Sequence, residues 1–347
     1  MKKVLVVIGL LLLFDVALLL WDPGGKAVRR AQPGAVRVGL VFDVGGRGDK
    51  SFNDAAYAGL MRARDELAIE AEYIEPGEGA DRESAIRIFA SRGFSLIIGV
   101  GFIFTDDITL LAREYPRTHF ACVDYSLQVD AAGNVVPPPD NVVALKFREE
   151  EGSFLVGAIA GQVSRTKKVG FVGGMDIPLI RRFEAGYQAG VLHVCPDCRV
   201  VANYAGVTGS AFKDPGKGKE LALAQYRQGT DIIFHASGST GLGVFEAARL
   251  AGKLAIGVDA DQYPEAPGHI LTSMIKRVDV AVLEIIGEVA QGRFRGGVRS
   301  FGLAEDGVGY VRDEHNQELI PEAVRTRVEE LRRQIVGKAI TVPIQPR

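Results

Sequence analysis

The chain has 347 residues, more than one hydrophobic core usually organises, so two lobes or domains are expected. Its formal net charge of −2 excludes the class of strongly basic nucleic-acid binders, because neutralising a nucleic-acid backbone needs a concentrated surplus of lysine and arginine. Five scattered histidines and three cysteines, without the spacing of a metal motif, predict no metal ion and no cofactor.

Residues 1–35 have the features of an export or anchor segment. Lys2 and Lys3 precede an apolar run from Val4 to Trp21, which has about the length of a signal peptide or a short membrane helix. The stretch from Pro23 to Gly34 has the composition of a linker. Cleavage after the run and retention as a membrane tether both remain open, and a buried core helix is the less favoured alternative. The body is therefore predicted to be extracytoplasmic, either periplasmic or at the cell surface.

The next segment predicts a strand, a polar loop and the start of a helix. Val36 to Phe42 is almost continuously apolar, which is typical of a strand buried on both faces of a parallel sheet. Glycines and polar residues follow, before the apolar helical stripe of residues 56–67. Ligands bind at the carboxyl ends of strands in open α/β sheets. The candidate ligand contacts in this loop are Asp43, Asp49, Ser51, Phe52 and Asn53. The alternative is a tight turn in which Asp49 or Ser51 only caps the helix.

Two series of short apolar runs alternate with amphipathic stretches and predict an α/β fold with parallel sheets. In the first series the strands are 36–42, 70–73, 96–100, 119–123 and 141–146, with helices at 56–67, 82–91 and 105–115 and a surface excursion at 127–141. In the second series the strands are 168–172, 199–204, 231–235 and 254–258, with helices at 149–163, 178–192, 217–228 and 241–251. The chain continues through 272–276 into helix 278–291, the segment 302–311 and helix 321–337. Two like halves behind an export signal predict two lobes that close on a ligand by a hinge.

Enzyme motifs are not found. The glycine-rich turn at Gly170 to Gly174 lacks the GxGxxG spacing of a dinucleotide site, and the chain has no P-loop. The Gly-Ser pattern at Ala236 to Gly241 lacks the GxSxG spacing of a nucleophile elbow. The sequence therefore favours a binding protein over an enzyme.

Several separated motifs resemble the basic membrane protein family of extracytoplasmic receptors, whose best understood members bind purine nucleosides. The resemblance spans residues 36–343 and depends on the order and spacing of these motifs together. They are FDVGGRGDKSFN at 42–53, Val123-Asp124, VGFVGGMDIPLIRRFEAGYQAG at 169–190, Lys213-Asp214-Pro215, Ala236-Ser237-Gly238, GVDADQ at 257–262 and the segment 272–276.

The resemblance implies a periplasmic-binding-protein type I fold with two doubly wound lobes, a ligand cleft and multiple crossovers. The expected first lobe comprises residues 36–145 and 269–301, and the expected second lobe comprises 146–268 and 302–343. The expected partners are a small-molecule ligand, with a purine nucleoside favoured, and the membrane permease of an ABC transporter. Alternatives are a receptor for a sugar or other small polar solute, an anchored sensor and, more remotely, a nucleoside-acting enzyme.

The resemblance also implies a set of ligand contacts. Phe52 and Phe183 would sandwich the base, although packing in the core is the alternative for either ring. Asp259 would accept from the ribose hydroxyls while Lys276 donates to them. The two opposite charges would keep each other ionised, and a purely structural salt bridge is the alternative. The remaining expected contacts are Asn53, Asp124 and Gly238, with Asp43 either binding the ligand or bracing its loop.

Cys195 and Cys198 form a CxxC pair in a predicted loop between a helix and a strand. Outside the cytoplasm a structural disulfide between them is favoured over a redox or metal motif, because the chain has no second CxxC. Cys122 lies in an apolar strand and is expected to be buried and unreactive.

Overall fold

The computed structural model describes residues 35–76 and 82–346, and within these ranges the predicted strands and helices are present, with ends that differ by a few residues. Most of the predicted leader and linker lies outside them. The strands are β1 (Arg37–Val41), β2 (Glu70–Ile74), β3 (Leu96–Val100), β4 (His119–Val123), β5 (Val142–Phe147), β6 (Lys168–Met175), β7 (Arg199–Gly206), β8 (Ile232–Ala236), β9 (Leu254–Asp259), β10 (Ile270–Lys276), β11 (Gly297–Phe301) and β12 (Val308–Tyr310). The helices are α1 (Phe52–Leu67), α2 (Arg82–Ser91), α3 (Thr105–Glu114), α4 (Glu149–Val163), α5 (Pro178–Val194), α6 (Pro215–Arg227), α7 (Thr240–Ala251), α8 (Val278–Ala290) and α9 (Glu322–Val336). Among the described helices, none has the length and apolar character needed to cross a membrane.

The first lobe is built on a six-stranded parallel sheet in the order β11-β5-β4-β3-β1-β2. Strand β3, one of the two central strands, is buried along its whole length, as its unbroken apolar sequence predicts. Apolar residues of α2 and α3 cover one face, and those of α1 and α8 cover the other. The lobe is therefore doubly wound.

The second lobe repeats this topology in a six-stranded sheet of order β12-β10-β9-β8-β6-β7. The strands correspond one for one with those of the first lobe, so that β9 takes the place of β4 and β10 that of β5. Only β12 runs antiparallel, against β10. Helices α4 and α5 cover one face and α6 and α7 the other. The predicted fold class, two doubly wound α/β lobes, is confirmed.

Within residues 35–76 and 82–346, the chain passes between the two sheets at three places. These crossovers follow β5 at Arg148, follow β10 at Arg277, and join β11 to β12 through residues 302–307. The expected lobe boundary at residue 269 is wrong, because β10 pairs with β9 in the second sheet and the chain crosses only after Lys276. The boundary at 145 is also slightly early, since β5 continues in the first sheet to Phe147.

A close packing of α4 against α5 brings charged side chains to the lobe interface. A Cβ atom on Gly186 would lie only 2.1 Å from the carbonyl oxygen of Glu150, so only glycine permits this approach. The guanidinium of Arg182 on α5 consequently reaches Glu150 on α4 with two hydrogen bonds of 2.9 Å. This contact fixes the turn of α5 that carries Phe183.

Candidate ligand-binding site

The eight ligand contacts that the resemblance implies line one cavity between the two lobes, as does Asp49, whereas Ser51 is not among the described residues that line it. Counted out to its mouth, this cavity has a volume of about 600 Å³. The predicted residues that it brings together are Asp43, Phe52, Asn53, Asp124, Phe183, Gly238, Asp259 and Lys276. Further lining residues that the sequence interpretation did not single out include Phe102, Leu179, Ile180 and Phe212.

The doubly wound topology explains why residues distant in sequence meet here. Asp43 follows β1 and Asp124 follows β4, while Asp259 and Lys276 are the last residues of β9 and β10. Because parallel strands end at the same edge of a sheet, the carboxyl edges of the two lobes supply the polar side of one cleft.

The loop between β1 and α1 is held by the carboxylate of Asp49. That carboxylate accepts hydrogen bonds from the backbone N–H groups of Ser51 (3.0 Å), Asn53 (2.9 Å) and Asp54 (3.2 Å). It also accepts one from the side-chain amide of Asn53, whose oxygen in turn accepts from the N–H of Asp43 at 3.1 Å. Asp49 and Asn53 therefore brace the loop, and Asn53 keeps little capacity for a ligand.

Asp43 stands at the inner end of this loop. One carboxylate oxygen accepts from the N–H of Val44 at 2.5 Å, while the other accepts no hydrogen bond from any described residue. A Cβ on Gly101 would lie 2.5 Å from that second oxygen, and Gly101 has a left-handed φ of 114° that favours glycine. Burial raises the pKa of Asp43 to about 7. Asp43 thus offers an open oxygen to the cavity.

Direct hydrogen bonds join the lobes beside the cavity. The hydroxyl of Ser51 in the first lobe lies 2.5 Å from a carboxylate oxygen of Asp259 in the second. The side-chain amide of Gln262 donates to the carbonyl of Lys50 at 3.0 Å. The structure is therefore that of a closed pair of lobes. The sequence interpretation missed the Gln262 contact, for which its place in the GVDADQ motif was the available signal.

Lys276 is the buried cation of the site. Its side chain is 2% exposed, and its ammonium donates to both carboxylate oxygens of Asp124, at 2.7 and 2.8 Å. Burial alone would lower the pKa of Lys276, but Asp124, Glu149 and Asp259 together raise it above its ordinary value. The cation thus bridges the lobes, because Asp124 belongs to the first lobe and Lys276 to the second.

The expected pairing of Asp259 with Lys276 needs correction. The hydrogen-bond partner of Lys276 is Asp124, and the partner of Asp259 is Ser51. Burial raises the pKa of Asp259 to about 6 even though Lys276 and Ser51 lower it, so the nearby cation does not keep this carboxyl fully ionised. The ammonium instead lies 2.7 Å from Asp124 and 3.3 Å from Glu149, and burial is the largest cause of the raised pKa of Asp259.

The two predicted stacking rings enter the cavity from opposite lobes. Phe52 begins α1 in the first lobe, and Phe183 lies on α5 in the second. Their ring centroids lie 5.0 and 5.6 Å from the same Lys276 ammonium, so both rings flank one point of the cleft. Phe183 also packs against Phe234, with centroids 6.5 Å apart, and is only 3% exposed. Its ring therefore belongs to both the core and the cavity wall.

The structure also shows the state of the three cysteines and the arrangement of possible metal ligands. Cys195 and Cys198 are joined by a disulfide in the turn between α5 and β7, and Cys122 is a buried free thiol in β4. Within the described ranges no group of histidine, cysteine and carboxylate side chains could hold a metal ion.

Comparison with known proteins assigns the chain to a family. The model of the Bmp family, described as ABC transporter substrate-binding protein PnrA-like, matches residues 36–345. An uncharacterized lipoprotein of Pyrococcus abyssi is 36% identical over 324 residues, which cover 89% of this chain and 77% of that protein. Basic membrane protein A of Borreliella afzelii is 33% identical over 318 residues, covering 90% of this chain and 93% of that protein.

A solved structure agrees with this assignment. The crystal structure of an ABC transporter solute-binding protein from Aeropyrum pernix superposes with a TM-score of 0.80 at 32% identity, and the match covers 89% of this chain and 94% of that one. The resemblance inferred from the motifs is thereby confirmed. The chain belongs to the Bmp family of PnrA-like ABC transporter substrate-binding proteins.

Proposed function

We propose that the protein is an extracytoplasmic receptor that binds a purine nucleoside in its interlobe cleft and delivers it to an ABC-type importer. The observation that carries the proposal is the placement of Phe52 and Phe183, which approach one point of the cavity from opposite lobes. A purine presents two π faces, and stacking of one base on an aromatic ring contributes roughly 1–3 kcal/mol. Closing the lobes on a flat base would bring both rings against it.

The carboxylates of the cavity suit the sugar of such a ligand. Asp259 uses one oxygen to accept from Ser51, and its other oxygen accepts no hydrogen bond from the described residues. A carboxylate oxygen can accept from the vicinal hydroxyls of a ribose. The contact to Ser51 would fix the carboxylate plane, so that the open oxygen is presented to the ligand.

The charge of the cavity favours an uncharged ligand that is rich in hydrogen-bond donors. Four aspartates line it, Asp43, Asp49, Asp124 and Asp259, against the single cation Lys276. A phosphate group would meet this excess of carboxylates with its own negative charge. The proposal therefore specifies a nucleoside and not a nucleotide.

The family supports the proposed location and delivery. Substrate-binding proteins of ABC transporters hand a ligand to a membrane permease, and a relative from Pyrococcus abyssi is named a lipoprotein. The basic, apolar start of this chain agrees with export or anchoring. We infer that the protein binds its ligand without transforming it. Fractionation of cells should find the protein outside the cytoplasm, and full-length protein mainly in the soluble cytoplasm would contradict this location.

The ligand itself can be identified directly. Protein purified without denaturation should retain a purine nucleoside in its closed cleft, and mass spectrometry of the material released by denaturation should detect it. A copurified sugar or other polar solute would instead support a receptor of the same fold with a different ligand. In that case Phe52 and Phe183 would be packing residues.

A further inference from the structure

Lys276, Asp124 and Glu149 form a buried charge cluster next to two of the crossovers, here called the crossover cluster. Their exposed fractions are 2%, 3% and 1%. The ammonium of Lys276 donates to Asp124 at 2.7 and 2.8 Å and lies 3.3 Å from the nearer oxygen of Glu149. One cation thus faces two buried carboxyl groups, which is a cluster with excess negative charge.

Glu149 has an unusual position within the crossover cluster. Both of its carboxyl oxygens are buried, and neither has a hydrogen-bond partner among the described residues. Arg182 lies 3.7 Å from one of them, but its hydrogen bonds go to Glu150. Leaving an ionised carboxylate buried without hydrogen bonds is costly. Burial accordingly raises the pKa of Glu149 to about 7, although Lys276 and Arg182 lower it.

The charged groups around Glu149 come from every side of its helix. Lys276 faces it from β10, Asp124 from the end of β4 and Arg182 from α5, while Glu150 is its neighbour on α4. Tyr310 of β12 donates to Glu329 of α9 at 2.7 Å, so these two titratable side chains are paired with each other.

The two carboxyl groups of the crossover cluster belong to different lobes. Asp124 follows β4 in the first lobe, whereas Lys276 and Glu149 both belong to elements of the second lobe, β10 and α4. Arg277 and Arg148, at the crossovers, are their immediate neighbours in sequence. A hinge motion that parts the sheets would therefore carry Asp124 away and leave Glu149 beside Lys276.

We propose that Glu149 is a positioning residue that holds the Lys276 ammonium in the open receptor, yields it to Asp124 on closing and takes up a solvent proton as it does so. In the open form Glu149 is an ionised partner of the ammonium. In the closed form an O–H bond forms on Glu149, and the carboxylate of Asp124 neutralises Lys276. The lack of hydrogen bonds to Glu149 in the closed structure is explained by this exchange.

The sign of the pH dependence follows from the direction of the shift. The closed form has the higher pKa at Glu149, so it binds more protons than the open form between the ordinary pKa of glutamate and about 7. Protonation of Glu149 stabilises the closed form relative to the open form. This stabilisation is fully present below the window and is lost as the pH rises through about 7. Within the window the ratio of closed to open receptor should change by up to about tenfold per pH unit.

Closure can be measured without any ligand, on protein that has been freed of copurified material by denaturation and dialysis and then refolded. Ile88 on α2 and Leu250 on α7 are 47% and 64% exposed and lie on different lobes, so Ile88→Cys and Leu250→Cys accept a pair of spin labels. Cys122 is buried and Cys195 is bonded to Cys198, which keeps the labels on the introduced thiols. Pulsed electron–electron double resonance then gives the populations of short and long interlobe distances between about pH 5 and pH 8.5.

In the doubly labelled parent, the short-distance population should fall as the pH rises through about 7. In Glu149→Gln the side chain at 149 cannot ionise, so the part of the pH dependence that comes from Glu149, up to about tenfold in the closed-to-open ratio per pH unit, should disappear. This variant should therefore keep more closed receptor than the parent at about pH 8. Any remaining slope would come from the other aspartates of the cleft whose pKa values are raised, Asp43, Asp49 and Asp259. The control Glu284→Gln removes a carboxyl on α8 whose electrostatic neighbours are Arg299 and Glu288, and it should behave as the parent does.

Two outcomes would overturn the proposal. One is an equal pH dependence in the parent and in Glu149→Gln, and the other is a single distance at every pH in the parent. Because the copurified material has been removed and no nucleoside is added, neither outcome depends on whether nucleosides are the ligand. The nature of the ligand is decided separately by the copurification experiment.

Discussion

Asp124 in the first lobe and Asp259 in the second occupy equivalent places, at the carboxyl ends of β4 and β9. Both have left-handed φ values, 61° and 66°, which turn the chain sharply at the edge of the sheet. Each contacts the opposite lobe, but Asp124 meets the ammonium of Lys276 whereas Asp259 meets the hydroxyl of Ser51. The same topology therefore supplies one neutralised carboxylate and one that is only hydrogen-bonded.

The difference indicates that the two equivalent aspartates have different roles. An ion pair satisfies the charge of Asp124, so this residue mainly joins the lobes. Asp259 has a raised pKa and an oxygen without a partner among the described residues, so it keeps the capacity to accept from a ligand. The repeated fold fixes where the side chains lie, and the partner from the opposite lobe decides what each can do.

Removing the cation should have the largest effect. Lys276→Met leaves Asp124 and Glu149 buried without their positive partner, and breaking a buried pair in this way costs about 3–5 kcal/mol in the free energy of unfolding. The loss should be smaller at pH 5 than at pH 7.5, because burial raises the pKa of Glu149 to about 7 and this carboxyl is then protonated at the lower pH. Urea denaturation at both pH values measures it.

A matched control for this substitution is Lys217→Met, which removes a partly exposed surface lysine paired with Glu220 at 3.0 Å. That change should alter the unfolding free energy by less than about 0.5 kcal/mol. Equal stability of Lys276→Met and the parent would mean that the buried ion pair does not hold the lobes together.

The aromatic rings test whether both lobes contribute to ligand stacking. Phe183→Ala should weaken nucleoside binding by roughly 1–3 kcal/mol, and Phe52→Ala should do so by a similar amount, because each removes one stacked ring. Their effects on stability should differ, since Phe183 is 3% exposed and packs on Phe234. Calorimetric titration and thermal unfolding of both variants separate the two effects. A folded Phe183→Ala protein with the affinity of the parent would assign Phe183 to the core alone.

The hydroxyl partner of Asp259 should matter to a smaller extent. Ser51→Ala removes the hydrogen bond to a buried carboxyl and should weaken ligand binding by about 1–2 kcal/mol without unfolding either lobe. The weaker binding should appear as a faster dissociation of the ligand, because the lost contact exists only when the lobes are closed. Stopped-flow measurement of ligand release checks this, and an unchanged release rate would show that Ser51 does not hold the closed form.

The disulfide is a further difference between the lobes. Helix α5 of the second lobe corresponds to α1 of the first, and the turn after α5 contains a cysteine pair whereas the turn after α1 does not. Cys195→Ser with Cys198→Ser should leave ligand affinity unchanged and lower the unfolding free energy by less than about 2 kcal/mol, because so short a loop loses little chain entropy. Thiol counting on denatured, non-reduced exported protein should find one free cysteine. Three free thiols would show that the pair is reduced there.

Much of the architecture could be predicted from local sequence pattern. The apolar runs of β3 and β4 and the amphipathic stretches between them follow from burial on both faces of a parallel sheet. The sheet to which β10 belongs could not be predicted, because an apolar run of this kind pairs equally well with either lobe. Only the pairing of Thr272 with Ile256 and of the residues around them decides it.

Several residues that line the candidate cavity were identified from the sequence, but their pairings could not be predicted. The motifs identified Asp124, Asp259 and Lys276, yet which carboxylate binds the ammonium depends on how the two lobes meet. Glu149 was missed because three consecutive glutamates at a helix start are typical of a solvent-exposed N-terminus that complements the helix dipole. Its burial arises only from contact with β10 and α5 in the folded chain.

The most direct test of nucleoside recognition compares adenosine with 2′-deoxyadenosine by calorimetry on the parent protein and on Asp259→Asn. If Asp259 accepts from the ribose, the deoxy ligand leaves a buried acceptor unpaired, and it should bind the parent more weakly by roughly 1–3 kcal/mol, about 5- to 150-fold. Asp259→Asn should bind adenosine less tightly and show a smaller preference for it. Equal affinities of the parent for the two nucleosides, or no binding of either, would contradict the account.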